Sequence, residues 1–128
     1  MLPSARDPPR AALIATSAVY VLDMPNRGKF SGVPADMVTK GTWPDADLEG
    51  PEEVLWAAAV TQHVARRLRD EMAQGAYTNR GLAEGAGVSD AVIRRLLAGT
   101  VYVDIVSVMR LEAFLDKPLL PDWPDRRP

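Results

Sequence analysis

A chain of 128 residues, 47% hydrophobic and 25% charged, holds material for one small core plus extensions. It has no cysteine, which excludes a disulfide framework and a thiolate metal site and fits a reducing cytoplasm. The net charge of −2 is low for a protein that sits on phosphates, but residues 63–110 carry seven arginines against five acidic groups while both flanks are net negative.

Met1 to Arg10 is rich in proline and reads as disordered. The apolar run from Ala11 to Leu22 is too short to span a bilayer. Asp7 in its charged flank and the lack of a small-x-small cleavage pattern argue against a secretory signal. Val19, Tyr20 and Val21 favour a short strand over residues 17–22. Prolines 25, 34 and 44 and glycines 28, 32, 41 and 50 predict irregular structure as far as residue 50, with one helical turn at Ala35–Val38. Residues 1–50 therefore read as an N-terminal extension. Pro51, Glu52 and Glu53 open a helix, since proline is tolerated in a first turn and acids complement the helix dipole there. Val60, Val64, Leu68 and Met72 recur every four residues, so the helix runs to Gln74 and Gly75 ends it.

The densest signal lies between Leu82 and Gly99. Thr78 caps a helix over Asn79–Ala86, whose apolar face is Leu82, Ala83 and Ala86. Gly87 supplies the left-handed residue that ends it, and Val88 anchors the turn. Ser89 caps a second helix, Asp90–Ala98, which turns Val92, Ile93, Leu96 and Leu97 inward before Gly99. Asp104 caps a last helix, Ile105–Leu115, with Ile105, Val108, Leu111 and Leu115 towards the core. Pro118 stops it, residues 121–128 form an extended tail, and Leu119, Leu120 and Trp123 are placed to fold back. The expected fold is mostly α, with a small bundle over residues 51–120.

Leu82, Ala83, Gly87, Val88, Ser89, Ile93, Arg95 and Gly99 meet the pattern L-A-x-x-x-G-V-S-x-x-x-I-x-R-x-x-x-G. In these residues the chain resembles the XRE family, the Cro and phage-repressor type of helix-turn-helix. The likeness runs from about His63 to Leu120. It departs from the family at Gly81 and Gly85, where alanine or a long polar residue is usual, and at Val103, where proline is frequent. It implies a lambda-repressor-like bundle that binds double-stranded DNA as a homodimer, in the role of a transcriptional regulator or repressor.

The helix Asp90–Ala98 then presents Asp90, Ala91, Arg94, Arg95 and Ala98 to a major groove. A guanidinium matches the two acceptors of guanine, so Arg94 is assigned a guanine and Ala91 a thymine methyl. Asp90 stabilises the helix start and is placed to accept from cytosine N4. The arginine at Arg95 packs or meets the DNA backbone in the family pattern. Thr78, Asn79 and Ser89 stand at helix starts, where phosphates are met, and Arg66 is assigned to phosphate. The apolar residues of the long helix and of residues 17–22 either cover the domain's own core or, in a homodimer, form the contact between the two copies. The alternative is an antitoxin-like or accessory module with a degenerate helix-turn-helix, whose N-terminal half binds a protein partner. Catalysis is not expected: His63 is the only histidine, no phosphate-cradling loop is present, and Asp45, Asp47, Glu49, Glu52 and Glu53 read as a solvated cluster. No cofactor, metal or membrane partner is expected. Trp56 reads as core or partner contact; Trp43 and Trp123 read as anchors for their proline-flanked segments.

Overall fold

The computed structural model describes residues 32–122 and contains a compact unit that begins at Val33. A 3-10 turn at Pro34–Met37 leads into strands β1 (Val38–Lys40) and β2 (Asp47–Leu48). Four helices follow: α1 (Glu52–Gly75), α2 (Asn79–Ala86), α3 (Asp90–Ala98) and α4 (Ile105–Leu115). The described residues are thus mostly α, with one antiparallel strand pair in which Val38 faces Leu48 and Lys40 faces Asp47. None of these helices is long and apolar enough to cross a membrane.

Local chemistry sets the helix ends. A helix leaves its first N–H groups without partners, and a short polar side chain just before it satisfies one of them. Thr78 Oγ1 accepts from the Gly81 N–H at 2.9 Å, Ser89 Oγ from Val92 at 3.1 Å and Asp104 Oδ1 from Ser107 at 2.8 Å. Gly87 and Gly99 close α2 and α3 in the left-handed region, each at φ +76°. The end of α1 departs from expectation. Gly75 stays helical and Ala76 takes the left-handed position at φ +56°; Gly75 is needed for packing instead, since the Tyr77 ring folds over the space its side chain would fill.

The core draws on every helix: Val64 and Leu68 from α1, Leu82 and Ala83 from α2, Ile93 and Leu96 from α3, Val108 and Leu111 from α4. Thr61 is fully buried in α1; its hydroxyl donates to the Ala57 carbonyl and accepts the Val103 N–H at 3.2 Å. A proline at residue 103 would have no N–H to give, which accounts for the absence of proline there. Ile105 does not face the core as expected; it is 63% exposed. Ser107, Val108, Leu111 and Leu115 define the inward face of α4, and at 100° per residue Ile105 lies about 100° round from its centre.

The chain after α4 folds back. Leu119 is fully buried in the core, and Glu112 Oε2 accepts the N–H groups of Leu119 at 2.7 Å and Leu120 at 3.1 Å. Arg67 donates to the Pro118 carbonyl, and the buried Glu71 carboxylate lies 3.6 Å from Arg67 and 3.9 Å from Lys117.

The compact unit starts earlier than residue 51. Residues 33–50 are built into it rather than forming an irregular extension. The single helical turn is present, shifted to Pro34–Met37. The Gln62 amide spans both backbone groups of Ala46, accepting its N–H at 3.2 Å and donating to its carbonyl at 3.1 Å. Asp45 pairs with Arg69 at 2.6 Å. Ala35 donates its N–H to the Gly99 carbonyl at 2.9 Å, and Trp43 Nε1 donates to the Leu96 carbonyl at 3.0 Å. Residues 17–22 and Trp123 lie outside the described residues.

Candidate functional site

Gly87, Val88 and Ser89 alone separate α2 from α3. The N–H groups of Gly87 and Val88 both reach the Ala83 carbonyl, which gives α2 a hydrogen-bonded stop. From α4, Arg110 Nη1 donates to the Gly87 carbonyl at 3.0 Å and ties the turn to the last helix. Gly85 has a packing reason: the Phe114 ring occupies the space its side chain would need and meets Tyr77 edge to face at 5.7 Å. The Gly81 N–H serves the Thr78 cap.

The α2–turn–α3 unit buries Leu82, Ala83, Ile93 and Leu96 and half-buries Val92 and Leu97. On the opposite side of α3, Arg94, Arg95 and Ala98 are exposed, with Asp90 and Ala91 partly exposed. Ser89 and Thr78 are exposed at the two helix starts, with Asn79 half-buried beside Thr78. Both hydroxyl oxygens are engaged as acceptors within their own caps, so what each offers outward is its O–H as a donor. Seven of the eight sequence-derived residues therefore stand at the starts of α2 and α3 or on the outer face of α3.

Arg66 does not join them. It is half-buried on α1 and donates to the Pro44 carbonyl at 3.3 Å, next to Trp43 and the closing end of α3. Most of the other arginines in the basic segment are also engaged. Arg67 meets Glu71, Arg69 meets Asp45 and Asp70, Arg80 lies 3.7 Å from Glu84, and Arg94 lies 2.8 Å from Asp90. Among the described residues Arg95 is the one arginine of that segment whose side chain has no such partner. The positive charge is thus partly neutralised within the chain.

Electrostatics at the edges follows the same geometry. The Arg69 hydrogen bond holds the Asp45 carboxyl below its usual range, and the Ser107 backbone N–H does so for Asp104. Burial, then Arg66 and Arg67, pushes the His63 imidazole down, so it is neutral at pH 7. The positioning residues Arg110, Thr61, Gln62 and Phe114 carry no signal of their own in the sequence. Trp43 did: an aromatic between prolines and glycines marks an anchor, and it holds the end of α3.

No family model matches the chain, and no curated protein or solved structure matches it either.

Proposed function

We propose that the protein is a sequence-specific binder of double-stranded DNA, with α2, the glycine turn and α3 acting as a helix-turn-helix in a lambda-repressor-like bundle. One observation carries this reading. α3 is a short helix with Ile93 and Leu96 fully packed on the core, held by a three-residue turn, and its opposite face offers Arg94 and Arg95 beside the small Ala91. A helix so presented fits the major groove with its first residues near base edges. Arg94 reads guanine, Ala91 lies near a thymine methyl, and Arg95, Thr78, Asn79 and Ser89 meet phosphates. A single helix of this kind buries too little DNA for tight binding, so two copies act together on a near-palindromic site, in the role of a transcriptional regulator.

Selection of bound sequences from random duplexes tests the reading. Two related half-sites about one helical turn apart are expected; recovery of unenriched DNA at physiological salt sinks it.

A second reading, a protein-interaction module, is favoured by the apolar surface of α4. Ile105, Val106 and Met109 are 63%, 54% and 44% exposed at positions that neighbour one another on the helix. Capture of a protein partner that Met109→Glu abolishes, with no DNA shift, supports it instead.

A further inference from the structure

We propose that Asp90 is a positioning residue for sequence discrimination: its carboxylate holds the Arg94 guanidinium at the start of α3, in the pose that reads one guanine. The inference rests on the DNA-binding reading above. Arg94 Nη1 donates to Asp90 Oδ2 at 2.8 Å, one helical turn apart, with the acid on the N-terminal side. That order is the favourable one for an i,i+4 pair, because helical side chains lean towards the N-terminus. The charged end of Arg94 is thereby drawn towards the first turn of α3, the part of a recognition helix that comes nearest the bases. Left free, its long side chain samples many rotamers, and ordering it on binding weakens recognition.

The donor count fits. A guanidinium has five N–H groups in a rigid fork, and Asp90 takes one of them. The rest still include an adjacent pair, which matches O6 and N7 of guanine. Ala91, next along the helix, carries only a methyl group and leaves space beside the pair. Arg95 lies on the far edge of the same face, exposed and without this restraint. The two neighbouring arginines thus divide the work, Arg94 reading a base and Arg95 attracting the backbone.

A carboxylate facing DNA has a second effect, which separates orientation from simple charge. Asp90 repels phosphate, so it weakens binding to every sequence while sharpening the choice among them. The test uses the full chain, a duplex selected from random sequence, the same duplex with its contacted guanine pair exchanged, and an unrelated duplex. Asp90→Ala and Asp90→Asn are expected to lower discrimination at that pair about tenfold, towards the Arg94→Ala level. The double variant with Arg94→Ala should lose no more than Arg94→Ala alone, and affinity of Asp90→Ala for the unrelated duplex should rise severalfold. Asp90→Asn keeps the size of the side chain and leaves the Ser89 cap in place, so thermal melting of that variant separates lost orientation from lost folding. If both Asp90 variants bind all three duplexes more tightly with discrimination intact, the orienting role falls and DNA binding stands. If the wild-type chain binds none of them at low salt, both fall.

Discussion

At the residue scale, two glycines with the same backbone angle do different work. Gly87 and Gly99 both sit at φ +76°, where a side chain is strained. Around Gly87 there is open space, whereas a Cβ on Gly99 would lie 2.8 Å from the Trp43 ring and 3.0 Å from the Ala35 Cβ. Gly87→Ala should therefore lose about 1–2 kcal/mol of stability, from the backbone alone. Gly99→Ala adds overpacking of about 1–3 kcal/mol. Urea unfolding of the two variants checks the order; equal midpoints would mean that Trp43 does not press on Gly99. His63 makes a prediction about pH. Its folded pKa lies below the ordinary 6.5, so the unfolded chain takes up the proton first and stability falls as pH drops through about 6.5. His63→Gln should flatten the melting temperature between pH 7 and pH 5.

At the element scale, the hairpin β1–β2 depends on one side chain of α1. Gln62 satisfies both the N–H and the carbonyl of Ala46, and both residues are buried. Gln62→Leu strands those two backbone groups, which should cost about 2–6 kcal/mol, since each buried orphan is worth about 1–3. Hydrogen exchange at the Ala46 amide should quicken first; an unchanged rate would refute the role given to Gln62. This contact also explains what was legible in the sequence. The bounds of α2 and α3 follow from caps and glycines within a few residues of one another, and those of α4 from the Asp104 cap and Pro118, so local chemistry announces them. The hairpin has strands of three and two residues, and its partners Gln62, Arg69 and Leu96 lie 16 to 53 positions away. The candidate site divides the same way. Arg94 and Arg95 were legible as the outer face of an amphipathic helix, while Arg66 looked equally free until the Pro44 carbonyl appeared beside it. Ile105 shows the limit of counting apolar residues, because the inward face of α4 is completed by Ser107 instead.

At the scale of the whole molecule, the compact unit is larger than the α-helical bundle. It begins at Val33, and residues 33–50 brace both α1 and the closing end of α3. A chain shortened to start at Val33 should melt as one cooperative unit. One that starts at Pro51 should melt at least about 5 °C lower, the shift that roughly 1 kcal/mol produces in a domain of this size. Matching melting curves would return residues 33–50 to the status of an extension. The brace also makes the molecule its own optical probe. The Trp43 indole rests against Gly99 and shares its N–H with the Leu96 carbonyl, so its fluorescence depends on how firmly the last turn of α3 is closed. With Trp56 and Trp123 replaced by phenylalanine, a single emission band would follow that turn in real time, without a dye, while a trial duplex is added.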